Sequence, residues 1–245
     1  MYSTIKTAVL EGIQTRQIQV EVDISNGMPV FEMIGHLAPE VREGKERIRT
    51  ALHSIGVILP AKRITINLSP AHIRKTGTGF DLPIAIAIMQ SLGLVTEEAC
   101  AGKLFIGELS LNGQILPVNG ILPVVSDGTK AGIREYVVPE GNENEAHLVN
   151  QACIYSFETL EEVLLFLNGK PYQEKRVETE ENIYTQNKDF QDVCGQNFIK
   201  RACEVAAAGM HNMLLIGPPG AGKTMISERL STILPPLTEE ERLEL

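Results

Sequence analysis

The chain has 245 residues, 43% of them hydrophobic and 22% charged, with a formal charge of −9. That size and apolar content suffice for one large domain or two smaller ones without disulfide support, and the acidic balance excludes a globally basic nucleic-acid coat while leaving room for a local basic face. Its four cysteines, at 100, 153, 194 and 203, form no Cys-x-x-Cys pair, which excludes a zinc ribbon or a disulfide scaffold and suits a reducing cytosol.

The first residues, MYSTIKTAVLEG, carry no apolar stretch of the signal-peptide kind. Strict alternation over Ile18–Ile24 predicts a strand with one buried face. Residues 39–56 place Val41, Ile48, Ala51, Leu52 and Ile55 at helical spacing, with Gly56 as the stop. Arg63–Leu68 alternates again. Gly77-Thr78-Gly79 then opens a helix through Asp81, Leu82 and Pro83. Pro83 suits a first turn, and Asp81 sits near the positive end of the helix dipole. The longest apolar run, Leu82 to Met89, lies in this helix and is far short of the ~20 residues that cross a bilayer. Leu104–Ile106 and Tyr136–Val138 are further strands, and Glu158–Leu167 is a helix. Strands alternating with helices give residues 1–169 an α/β or α+β character.

Residues 170–188 are polar, charge-rich and without apolar periodicity, the texture of a linker, with an irregular edge strand around Val177 as the alternative. Over 189–245 the pattern resumes. Phe198–Ala208 reads as a helix, Met213–Ile216 as a short buried strand, and a glycine-rich loop leads into a helix from about Lys223. This stretch reads as the opening of a fold.

The sequence Gly217-Pro218-Pro219-Gly220-Ala221-Gly222-Lys223-Thr224 matches G-x-x-x-x-G-K-[ST], the phosphate-binding loop. A triphosphate needs several N–H donors converging on it, and a glycine-rich turn lets the backbone approach without Cβ clashes. The helix that follows presents its free N–H groups and positive dipole end to the same anion. Lys223 supplies a charge for the β- and γ-phosphates, and the Thr224 hydroxyl is a ligand for Mg²⁺. The bland alternative is a glycine-rich turn between strand and helix that binds nothing.

Around that loop, the run from Phe190 to Ala202 followed by AAAGMHNMLLIGPPGAGKT resembles the magnesium-chelatase-like branch of the AAA+ ATPases. GMPVFEMIG, PAKRITINLSPA, RKTGTGFDLPIAIAI and GELSLNGQILPVNGILP resemble the ComM/YifB competence proteins, so the likeness covers essentially the whole chain. Gly35-His36-Leu37 departs from the family's turn. The resemblance implies an α+β domain with the fold of the Lon proteolytic domain over 1–169, then part of an AAA+ α/β domain. It places Val193 and Gln196 against an adenine. It implies ATP and Mg²⁺ as cofactors, and a full-length homo-oligomeric ring that drives DNA processing of the branch-migration or helicase kind. A non-catalytic assembly module and a chelatase-type ATPase acting on a metal or porphyrin partner are the alternatives.

Lon-type peptidases use a Ser/Lys dyad. In this chain Gly79 stands at the serine position and Leu122 at the lysine position, so no peptidase is expected. Asp81 and Lys75 beside the turn read as a helix cap and a solvated charge. Arg42, Lys45, Arg49 and His53 form one helical stripe, and Arg47, Lys62, Arg63, Arg74 and Lys75 add positive charge nearby. The stripe reads either as a face for DNA phosphates or as a solvated face on which Glu46 satisfies Arg42 and Arg49. The five histidines and the cysteines show no metal-ligand spacing, and Cys194 and Cys203 read as small buried residues. After Thr224 no apolar strand ends in an acid, and the acidic run 238–244 reads as a solvated helix start. This stretch is therefore expected to bind ATP without turning it over, in the cytoplasm and away from membranes.

Overall fold

A computed structural model of the chain describes residues 1–12, 14–172, 188–238 and 241. They fall into two units, one within Met1–Thr179 and one within Glu180–Leu245. Most of the stretch read as a linker, and most of the acidic run 238–244, lie outside the described residues. Among the described residues no helix is long and apolar enough to cross a membrane.

In the first unit β1 (Tyr2–Glu11) and β2 (Gln14–Ser25) pair antiparallel from Tyr2↔Asp23 to Glu11↔Gln14. The alternation in β2 is the one read from sequence, with Ile18, Val20, Val22 and Ile24 buried. β1 escapes that criterion because Thr7, Ala8 and Val9 are buried in succession. After β3 (Val30–Ile34) comes α1 (Pro39–Ser54), whose Val41, Ile48, Ala51 and Leu52 face the core. α1 ends as the sequence indicates. The Gly56 N–H donates to His53 O at 3.0 Å and the Val57 N–H to Leu52 O at 2.9 Å, with Gly56 at φ +81°, a Schellman cap. β4 (Arg63–Ser69) then pairs antiparallel with β2 and parallel with β3.

α2 (Asp81–Ser91) is buried on nearly every side, packed against β1 and β2 and against α1. A helix apolar all round needs such an enclosed place. The short α3 (Glu97–Cys100), capped by the Thr96 hydroxyl, precedes β5 (Lys103–Phe105), which pairs parallel with β1. A small hairpin, β6 (Glu108–Leu109) with β7 (Ile115–Leu116), leads to α4 (Ile121–Lys130). α4 contains Pro123 and Gly128, which hide it from a propensity reading. It packs on β1 and β2, and its Asp127 accepts from both the N–H and the hydroxyl of Thr15 at 3.0 Å. β8 (Glu135–Pro139), α5 (Glu143–Ala146), β9 (Cys153–Phe157) and α6 (Leu160–Leu167) complete the unit. The sheet runs β3-β4-β2-β1-β5-β8-β9, antiparallel on both sides of β2 and parallel elsewhere. This is the mixed α/β architecture that the sequence implies.

The second unit contains α7 (Asn197–Ala208) and α8 (Lys223–Leu230). Its buried core is Phe190, Val193, Cys203 and Ile226, with Ile199, Met213, Leu215, Leu230 and Ile233 packed around it. Two expectations fail here. Met213–Ile216 is not a strand, and Leu214 and Ile216 are 81% and 87% exposed. A strand exists only by pairing, and the described residues of this unit contain no other strand. Met213 and Leu215 alone turn toward the core. Cys203 is buried as read, but Cys194 is exposed, because it follows the inward-facing Val193 at the start of a turn.

Candidate functional site

The loop Gly217–Gly222 is shaped by its own residues. Pro219 and Gly220, the latter at φ +80°, occupy the middle of a turn closed by the Ala221 N–H on Pro218 O at 3.4 Å. Proline second and a positive-φ glycine third is the type II arrangement. Gly222, at φ +79°, is the N-cap of α8, and its carbonyl accepts the Ile226 N–H at 3.0 Å. It caps without a side chain, which leaves the first N–H groups of α8 facing the loop side. Lys223 folds back over the loop, its Nζ donating to Gly217 O at 2.9 Å and to Pro218 O at 2.8 Å. An ammonium carries three donors, so one remains beyond those two bonds. Thr224, on the first turn of α8, is exposed. An added Cβ at Gly220 would meet nothing within 4 Å.

The two residues placed against an adenine by resemblance are separated by the structure. The Val193 side chain is closed in the core with Phe190, Cys203 and Ile226, the ordinary fate of an aliphatic group beside apolar neighbours. Gln196 is exposed and reaches the loop, its Nε2 donating to Ala221 O at 3.4 Å.

In the first unit the turn Thr76–Phe80 borders a cavity of about 200 Å³, lined also by Leu10, Ile106, Val118 and Asn119. A Cβ on Gly79 would stand 3.0 Å from Ile106 Cγ1. Leu122, read at the lysine position, is half-buried, with its N–H on Glu145 Oε1 at 3.0 Å. Both readings of the neighbouring charges need correction. Asp81 does not cap α2. Its buried carboxylate takes Arg47 Nε at 2.6 Å, Arg47 Nη2 at 3.2 Å and the Leu109 N–H at 3.3 Å, bonds that lead away from the helix it begins. Burial pushes the Asp81 carboxyl up against the opposing pull of Arg47, and the same bond pushes the Arg47 guanidinium up. Gly44 makes the pair fit, since its Cβ would fall 2.3 Å from Asp81 Oδ1. A glycine inside an otherwise good helix is the sequence signal for this contact. Lys75 is fully buried, not solvated. Its ammonium bonds Pro70 O, its backbone is fixed between His36 and Ala38, and burial pushes its pKa down.

Those placements thin the basic face. Lys75 is withdrawn from any phosphate contact, and Arg47 is engaged by Asp81. Arg42 and Arg74 are exposed. Lys45 lies with its Nζ 5.9 Å from the Phe31 ring centroid. Arg49 pairs with Glu46 at 3.6 Å and Arg63 with Glu32 at 2.7 Å, while Lys62 is half-buried.

The family described as subunit ChlI of Mg-chelatase matches residues 20–142, half of the chain, and a second description, magnesium chelatase, subunit ChlI, matches residues 189–245. The chain is 40% identical over 247 residues to the uncharacterized protein YifB of Escherichia coli, covering 99% of this chain and 48% of that protein. It is 40% identical over 238 residues to the competence protein ComM of Haemophilus influenzae, covering 95% of this chain and 47% of ComM. A Lon protease of Geobacter metallireducens is 24% identical over 157 residues, which are 59% of this chain and 19% of that protein. The chain thus spans about half the length of the first two relatives.

Proposed function

This chain belongs to the family of the Mg-chelatase subunit ChlI, and from that premise we propose that its second unit binds ATP with Mg²⁺ as the nucleotide-holding part of an AAA+-type ATPase. The observation that carries this reading is the Lys223 ammonium, held by Gly217 and Pro218 carbonyls over a glycine-shaped loop at the start of α8. The backbone N–H groups of the loop and of the first turn of α8 would hold the phosphates, Lys223 would neutralise them, and the Thr224 hydroxyl would face the metal. When bound, the metal draws charge from the phosphate oxygens. Turnover calls for an acid at a strand end and usually an arginine from a neighbouring subunit, and no such strand follows Thr224 in this sequence. The chain by itself is expected to bind without multiple turnover.

Calorimetry tests the site directly. Removing a charge-assisted contact costs about tenfold or more in affinity, so Lys223→Ala should bind ATP–Mg²⁺ that much more weakly. Equal affinity in the two proteins overturns the assignment.

The finer part of the proposal is that the longer protein works on DNA. It is supported by the likeness to a competence protein and by Arg42, Lys45, Arg49, Lys62, Arg63 and Arg74 on the first unit. Contacts of this kind are independent of sequence and fall steeply with salt. Changing Arg42, Lys45 and Arg49 together to glutamate should abolish DNA binding at low salt, read by fluorescence anisotropy. Undiminished binding makes the stripe a solvated face. DNA-stimulated hydrolysis by the longer protein separates this reading from a chelatase-type motor.

A further inference from the structure

We infer that Gln196 is a positioning residue for the phosphate loop rather than a contact for a nucleotide base. The inference rests on the nucleotide reading above and assigns the residue a different part within it. Gly195 and Gln196 are both left-handed, at φ +69° and +50°. That conformation is disfavoured for any residue with a Cβ, so glutamine sits there against its backbone preference. The Gln196 carbonyl accepts the Lys200 N–H at 3.0 Å, which ties its backbone to the first turn of α7. Its side chain runs the other way. Nε2 donates to Ala221 O at 3.4 Å, and an added Cβ at Gly222 would stand 3.3 Å from the same nitrogen. The amide therefore rests on the last two loop residues before Lys223. At 222 the backbone at φ +79° favours glycine, and a Cβ there would crowd the Gln196 amide.

The consequence follows from peptide geometry. In a trans peptide, the Ala221 carbonyl and the Gly222 N–H lie in one plane and point in opposite directions. Holding Ala221 O from the Gln196 side aims the Gly222 N–H to the opposite side and limits rotation of that plane. A loop that binds an anion through N–H groups gains when those groups are oriented before the ligand arrives. Gln196 thus links α7 to the phosphate loop across 25 positions of sequence.

The test separates phosphate from base. ATP–Mg²⁺ and tripolyphosphate–Mg²⁺, which has the phosphates without the base, are titrated calorimetrically into the chain and into Gln196→Gly, Gln196→Asn and Lys223→Ala. Glycine accepts the left-handed backbone without strain, and asparagine tolerates it while being one methylene too short to reach Ala221. Unfolding midpoints matching wild type exclude a folding defect. Both Gln196 variants should weaken ATP and tripolyphosphate by the same factor, about three- to tenfold for a neutral hydrogen bond. Weaker ATP binding with tripolyphosphate unchanged makes Gln196 a base contact and overturns the inference. Unchanged binding of both ligands overturns it as well. If Lys223→Ala leaves both ligands unaffected, the nucleotide reading itself fails, which is a distinguishable result.

Discussion

The two units hold their glycine-rich turns by opposite means. In the first, Thr76–Phe80 is held from a distance, with Glu40 Oε1 taking the Gly77 N–H at 3.2 Å, Glu108 bonded to the Thr78 hydroxyl, and the buried Asp81–Arg47 pair behind them. In the second, Gly217–Gly222 is held mainly by its own neighbours: the Pro218–Ala221 turn, the two bonds of Lys223 and the start of α8. The cores differ in the same sense. α2 is enclosed on nearly all sides, whereas the second unit leaves Phe198, Leu214 and Ile216 each more than 80% exposed. The glycine-rich loop of the second unit is therefore shaped mostly at short range, with Gln196 reaching it from 25 positions away, while the turn of the first unit rests on bonds from residues 30 or more positions distant.

The contrast is broken most directly at Arg47. Arg47→Ala leaves the Asp81 carboxylate buried and unpaired, which costs about 3–5 kcal/mol. Urea unfolding should show that loss in the first unit, while the ATP affinity proposed for the second unit, read by calorimetry, should not change. The effect has a pH signature. Burial raises the Asp81 pKa above its unfolded value, so the folded state binds the proton more tightly. Wild-type stability from this group is then fully present below about pH 4 and lost as pH rises through the raised pKa. Without Arg47 the pKa rises further, so the variant should be penalised strongly at pH 7 and much less at pH 3, where Asp81 is protonated in both states. A penalty independent of pH would show that Arg47 acts through packing alone.

Truncating matched isoleucines sharpens the comparison. Ile66→Ala, in β4 and fully buried, should cost about 2–5 kcal/mol. Ile216→Ala, almost fully exposed, should change stability by no more than about 0.5 kcal/mol. Chemical denaturation followed by circular dichroism reads both. A large loss at Ile216 would mean that this side chain is covered in the folded chain.

The smallest expected effect is a difference in order. Each unit has one buried and one exposed cysteine, Cys100 and Cys153 in the first, Cys203 and Cys194 in the second. Burial pushes the Cys100 thiol up to about 11 and also raises Cys203. At pH 8 a maleimide should label Cys153 and Cys194 in the native chain, and the buried pair only after unfolding. As urea rises, Cys203 should react before Cys100, because its core is smaller. Mass spectrometry of the labelled peptides gives the order, and the reverse order would contradict the difference in core size.

Much of this was legible in sequence because it is local. The period-two burial of β2, the glycine stop of α1 and the glycine-rich turn before α8 are each set by residues within a few positions of one another. Elements whose signal is diluted stayed hidden: β1 with three successive buried residues, and α4 with a proline and a glycine. The charges near α2 differ from their sequence expectation for a related reason. A lysine or an aspartate carries no mark in the sequence of whether its partner stands 34 positions away, as Arg47 does from Asp81, or whether a turn closes over it, as around Lys75.

What the sequence determined by itself is the family, the mixed α/β order and a glycine-rich turn at 217–222 that opens a helix, since pattern and backbone preference act over one or two turns of chain. Only the tertiary structure decided that Lys75 and Arg47 leave the basic face, that Val193 turns inward while Gln196 reaches Ala221, and that Met213–Ile216 does not pair as a strand. Each of those outcomes depends on what a distant part of the chain places beside the residue. Burial, ion pairing and strand formation are properties of two partners, and one stretch of sequence specifies only one of them.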